Sequence, residues 1–129
     1  MSGTEANRTR GRVGEEIAWL FLEARGYALV ARGFRAGRRE IDLIVERGAL
    51  LVAVEVKWRR ARSDDRGAAD AWRPAQRARA GGAILEAMTR LPGGATRPWR
   101  FDLVTVEEDT DGMTLRHRRG VWSPRDSFW

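Results

Sequence analysis

The run EIDLIVERGALLVAVEVKW, Glu40 to Trp58, leaves the chain few choices of fold. Two stretches rich in Val, Ile and Leu flank Glu46-Arg47-Gly48-Ala49, a spacing that predicts a β-hairpin. Alternation then sorts the side chains of each strand. Val52, Val54 and Val56 form one apolar face, and Ile41, Leu43 and Val45 form another on the strand before, so a second layer must cover them. The reverse faces are different. Leu51 and Ala53 give way to Glu55 and Lys57, and the preceding strand puts Glu40, Asp42, Ile44 and Glu46 on its reverse side. Pairing Glu46 with Ala49 places Asp42 opposite Ala53 and diagonal to Glu55 on a shared face, an arrangement that a one-residue slip would undo.

The remaining elements assemble around that hairpin. Val13, Ile17, Leu20, Phe21 and Ala24 recur at helical spacing, with Gly26 placed as a C-terminal cap, and residues 1–12 read as a flexible basic arm. Tyr27–Phe34 predicts a first strand, followed by a loop over Arg35–Arg39. After Trp58 a charged loop leads to Pro74, where Ala80, Ile84, Ala87, Met88 and Leu91 predict an amphipathic helix that stops at Pro92-Gly93-Gly94. Trp99–Glu108 and Gly112–Arg119 form a second hairpin around Asp111-Gly112. The order is α-β-β-β-α-β-β, which predicts an α/β fold with a central mixed sheet flanked by helices in a single domain over 13–122, and a tail over 123–129. A chain of 129 residues suffices for one core.

Charge decides what the polar end of the hairpin can be. Two carboxylates about 6 Å apart repel by roughly 3 kcal/mol at an effective dielectric of about 20, and Lys57 offsets only one of them. With a third acid nearby the cluster stays negative, and a hard divalent cation neutralises it. There are no cysteines and only one histidine, His117, which excludes thiolate nucleophiles, disulfides and zinc sites built on Cys or His. A metal here takes oxygen ligands, which suits Mg²⁺ or Mn²⁺. The plain alternative is a Glu55–Lys57 salt bridge at a strand end with Asp42 solvated.

The formal charge of +6 calls for an anionic partner, most commonly nucleic acid. All but one of the 24 basic residues are arginine, so Lys57 stands where any other cation would have been written Arg. No apolar run reaches the roughly 18 residues of a membrane span, and no apolar leader is present, so a cytoplasmic protein without membrane partners is expected.

GEEIA at 14–18, EIDLI at 40–44, VEVKWR at 54–59 and Gln76 together resemble the small bacterial endonuclease-like family often called YraN. That family is similar to the PD-(D/E)XK nucleases, with a restriction-endonuclease-like fold related to Holliday-junction resolvases. The resemblance makes Asp42 the acid of the first motif, and Glu55 and Lys57 the acid and lysine of the second. Glu15 becomes a further carboxylate at the metal, a choice over Glu16 that the helical wheel does not make, and Gln76 a site residue whose alternative is a capping amide. Glu40 belongs to the shared motif as an outer or purely structural acid. Three positions depart from the family pattern: Arg39 stands where Gly is common, Ala75 where Lys is common, and Gly33 where Asn is common.

The implied activity is Mg²⁺- or Mn²⁺-dependent hydrolysis of phosphodiester bonds in DNA, selective for branched or flapped structure. Arg38, Arg39, Arg59 and Arg60 would contact the nucleic acid, with Arg35, Arg62 and Arg66 beside them. Trp58 and Trp72 are expected to pack in the core rather than stack on bases. A two-fold homodimer is open, because two symmetric strands must be cut, although the sequence names no dimer surface. The rival expectations are a nucleic-acid-binding module without catalysis, and an interaction protein that docks through its aromatic tail and arginine surface.

Overall fold

A computed structural model describes residues 3–37, 39–60 and 74–122, the side chains of 3–10 and 74–80 excepted. The elements are α1 (Gly3–Ala24), β1 (Ala28–Ala36), β2 (Arg39–Arg47), β3 (Leu50–Arg60), α2 (Pro74–Arg90), β4 (Trp99–Asp109) and β5 (Gly112–Trp122). This is the expected α-β-β-β-α-β-β order. The strands make one sheet in sequence order, antiparallel throughout except for β3 and β4, which run parallel because the chain crosses back through α2 between them.

The two helices cover opposite faces. Ala18 and Leu22 of α1 pack with Leu43, Val45, Val52, Val54 and Val104, while Ala83, Ile84 and Ala87 of α2 pack with Ile44, Leu51, Ala53, Phe101 and Trp122. Residues 51–54 of β3 are therefore buried on both sides, which is why LLVAV reads as a continuous apolar run. Among the described residues no helix is long and apolar enough to cross a membrane.

Several boundaries differ from expectation for physical reasons. The helix α1 begins at Gly3, so residues 3–12 of the expected arm are helical. Once Ala18 and Leu22 anchor the nucleus, each further residue adds a backbone hydrogen bond at little cost, and Glu5, Ala6, Arg8 and Arg10 all favour helix. Strand β1 runs through Ala36 and β2 starts at Arg39, so most of the expected Arg35–Arg39 loop is strand. The first hairpin pairs Arg47 with Leu50 and Ile44 with Ala53, a register two residues from the expected one. Gly48, at φ +59°, takes the first central position of a two-residue turn, where glycine costs least. An even shift leaves every side chain on its face.

Alternation itself breaks at one place. Ile41 packs with the α2 side, whereas Leu43 and Val45 pack with the α1 side. Gly33, at φ +58°, lies between the pairs Arg32↔Leu43 and Phe34↔Ile41, directly across from Asp42, and this left-handed residue interrupts the pleat.

Gly81 sets α2 directly against the Trp122 indole at the end of β5. A Cβ there would lie 2.9 Å from Cε2 of the buried Trp122 indole. Alanine normally improves a helix by about 1 kcal/mol over glycine, yet overpacking costs about 1–3 kcal/mol. Gly81→Ala is therefore expected to lower the thermal midpoint, and adding Trp122→Phe should reduce that loss. A raised midpoint for Gly81→Ala would contradict this packing.

Candidate active site

The site begins where β2 and β3 part. Their ladder runs from Arg47↔Leu50 to Leu43↔Val54, after which β3 continues alone along β4 as far as Arg60↔Glu108. The Asp42 carboxylate takes over the missing pairing: its Oδ2 accepts the Val56 N–H at 2.9 Å. The acid is thus pinned over the exposed edge of β3, between Glu55 and Lys57. Glu55 Oε1 lies 3.2 Å from Lys57 Nζ, with side chains 22% and 33% exposed. The Glu55 carboxyl is also close enough to Asp42 for each charge to act on the other.

The electrostatics follow from that crowding. Burial first, and the Glu55 charge second, push the Asp42 carboxyl up to about 8, against the Val56 amide, with Glu15 adding to the rise and Lys57 opposing it. Burial also raises Glu55 above the usual carboxylate range, despite the charge and hydrogen bond of Lys57. The pair titrates as a unit.

Helix α1 supplies the next acid. Gly14 lets the helix approach β3 closely, since a Cβ there would meet Trp58 Cε3 at 3.1 Å. Glu15, half-buried, is raised by burial, then by Glu40 and Glu55, with Arg32 and Arg12 opposing. Glu16 instead points outward and pairs with Arg32 at 2.6 Å. Of the two acids, Glu15 is thus the one within electrostatic reach of Glu40 and Glu55. Glu40 joins the group because Gly33 has no side chain: a Cβ at Gly33 would lie 2.7 Å from Glu40 Oε1.

The donor set is all oxygen and carries more negative charge than Lys57 neutralises, which fits a hard cation. Among the described residues, however, no three Asp, Glu or His side chains are gathered to hold one ion. Glu15, expected as a ligand, stands near Asp42 and Glu55 without completing such a group. Asp42 and Glu55 alone match the habit of Mg²⁺, which keeps several waters and takes one or two carboxylates plus substrate phosphates.

The other expected site residues are placed as follows. Gln76 lies in the first turn of α2, and its side chain is outside the described residues. Arg38, Arg62, Arg66, Trp72 and the tail 123–129 also lie outside them. Arg39 opens β2, and Arg59 and Arg60 close β3 beyond Lys57, at the same end of the sheet as Asp42. Trp58 packs against Gly14 and donates its indole N–H to Glu108 at 3.2 Å, in keeping with a structural role.

One cluster escaped the sequence reading. Asp102, 0% exposed on β4, accepts Arg100 Nε at 2.8 Å, the Gly120 amide at 3.0 Å and His117 Nε2 at 2.7 Å. Arg100 Nη2 also donates to the Tyr27 hydroxyl at 2.7 Å. Burial alone would raise the Asp102 carboxyl, but the bonds from His117, Arg100 and Gly120 hold it below its ordinary value. The available signal was an acid inside the apolar run FDLVTV with an arginine two residues before it. The cluster ties β5 and Tyr27 to β4 and holds no group at the Asp42–Glu55 pair.

Comparison with known proteins gives a consistent picture. Residues 14–106 match the profile of the family described as Uncharacterised protein family UPF0102. A UPF0102 protein of Symbiobacterium thermophilum is 42% identical over 106 residues, covering 82% of this chain and 88% of the relative. UPF0102 proteins of Maricaulis maris and Erythrobacter litoralis are 38% and 34% identical, covering 92% and 88% of this chain and 88% and 92% of their own lengths.

Proposed function

The chain belongs to the uncharacterised protein family UPF0102, and from its site we propose a metal-dependent endonuclease that hydrolyses phosphodiester bonds in DNA, preferring branched or flapped structures. One observation carries this reading: a half-buried Asp42–Glu55 pair at an open strand edge, with Asp42 held on the Val56 amide and Glu55 3.2 Å from the only lysine in the chain. Burying two acids together is costly, and a bound cation removes the cost. Clusters of this kind gather at functional sites.

Asp42 and Glu55 would hold Mg²⁺ or Mn²⁺, which supplies an activated water and neutralises charge developing on the phosphate. Val56 fixes the orientation of Asp42 through its amide. Lys57 keeps a positive charge beside Glu55, where it can orient the attacking water and stabilise the pentacovalent phosphate. Glu15 and Glu40 keep the pocket negative, which favours the cation. Arg39, Arg59 and Arg60 rim this end of the sheet and can contact the backbone on either side. A cytoplasmic location and a two-fold dimer with paired sites belong to the same proposal.

Purified protein is expected to cut flapped or four-way DNA faster than plain duplex, and only with Mg²⁺ or Mn²⁺. Glu55→Gln and Lys57→Met should each lose cleavage while retaining the wild-type circular dichroism spectrum. Cleavage that persists in both would sink the assignment. A second reading, nucleic-acid binding without catalysis, is favoured by the absence of a third ligand among the described residues. It predicts salt-dependent binding with no product for any metal tested.

A further inference from the structure

The sheet carries the charged face of β3 onward to β5. In the parallel ladder Glu55 pairs with Leu103 and Lys57 with Thr105, and across the next ladder Leu103 pairs with Arg118 and Thr105 with Arg116. Directly paired residues share a face, so Glu55–Leu103–Arg118 and Lys57–Thr105–Arg116 form two parallel rows. Leu103 and Thr105 are buried and uncharged, so no carboxylate interrupts either row. Two strand spacings separate the ends, about 10 Å.

Six of the described arginines outside β5 are occupied. Arg32, Arg90, Arg97 and Arg100 pair with acids, and Arg25 and Arg47 stack on Phe21 and Tyr27. On β5, by contrast, Arg116 is 59% exposed and meets Glu107 only at 3.8 Å, and Arg118 is exposed with no carboxylate partner among the described residues.

We propose that Arg116 and Arg118 bind the sugar–phosphate backbone of the DNA that enters the Asp42–Glu55–Lys57 site, so that the substrate extends from the end of β3 toward the outer strand β5 rather than staying at the end of β3 alone. The proposal rests on nucleic acid being the partner, and it does not depend on cleavage. Phosphate contacts of this kind position the substrate and carry no sequence information.

Binding of fluorescently labelled flapped DNA, measured by anisotropy in EDTA over a range of salt, tests it. Each phosphate neutralised adds about −0.9 to the slope of log affinity against log salt, so Arg116→Gln/Arg118→Gln is expected to make the slope shallower by about 1.8. Arg59→Gln/Arg60→Gln serves as the reference on β3, just beyond Lys57. Both side chains on β5 are exposed, so the double variant should keep the wild-type thermal midpoint within a few degrees. An unchanged slope for the β5 variant, with a shallower one for the β3 variant, overturns this proposal and leaves the nucleic-acid reading standing. Wild-type protein that shows no salt-dependent binding overturns both. Binding that behaves as expected without cleavage removes only the nuclease assignment.

Discussion

Asp42→Asn is expected to abolish metal-dependent cleavage, a loss of at least about 10²-fold, while leaving the metal-free protein more stable than wild type in alkaline buffer. The Asp42 carboxyl ordinarily titrates at 3.8 but is pushed up to about 8 in the fold by burial and by Glu55. Between those values the folded chain holds a proton that the unfolded chain has released. Stability therefore falls as pH rises through that window and levels above about 8. Asparagine has the shape of the protonated acid and never ionises, so this part of the pH dependence should flatten in the variant. Urea midpoints of both proteins at pH 5, 7 and 9 measure it. Parallel curves would mean that the carboxyl is not under the strain described, and the case for a cation would fail with it.

The same proton competes with metal. Because the ion must displace it, Mn²⁺ affinity is expected to rise with pH by up to about tenfold per unit below the folded value and then to level off. Asp42→Asn should bind Mn²⁺ weakly at every pH. Calorimetric titration reads both results without any nucleic acid present, so it tests the acid pair separately from the substrate.

The sequence made the site legible because most of it is local. Alternation along Glu40–Lys57 places Asp42 and Glu55 on one hairpin, and the true register differs from the expected one by two residues, a shift that keeps both acids where they were. What it could not supply came from longer range. The flip of Ile41 to the α2 side depends on Gly33 in the neighbouring strand, and Gly33 looked only like a departure from a family pattern. That Glu15 rather than Glu16 comes near the acid pair depends on the approach of α1 to Trp58, which the missing side chain of Gly14 eases. Helical extension back to Gly3 was hidden because a polar segment has no apolar period to read. Asp102 was missed for a similar reason: its partners lie at Arg100, His117 and Gly120, and Gly120 reaches it only because β5 carries an irregularity between the pairs Phe101↔Trp122 and Leu103↔Arg118.

Asp102→Ala carries the largest expected cost in stability, about 3–5 kcal/mol, the usual penalty for removing one partner from a buried charged network. That is a large share of the roughly 5–15 kcal/mol that holds a domain of this kind together. The substitution leaves the half-buried Arg100 without its acid and the Gly120 amide without its acceptor. In the wild type, the depressed carboxyl contributes stability above its ordinary value of 3.8, and that contribution is lost as pH falls through the folded value. The loss should begin on β5. Hydrogen exchange is expected to show amides of Gly112–Trp122 opening before those of β2 and β3, because Asp102 ties β5 to β4 while the Asp42–Glu55 pair sits on the β2–β3 side. Molecules that remain folded at low temperature should then still bind Mn²⁺, although their grip on DNA weakens with the loss of Arg116 and Arg118. Uniform exchange across the sheet, or a cost below about 1 kcal/mol, would show that Asp102 is a passenger and that β5 is held by its apolar contacts alone.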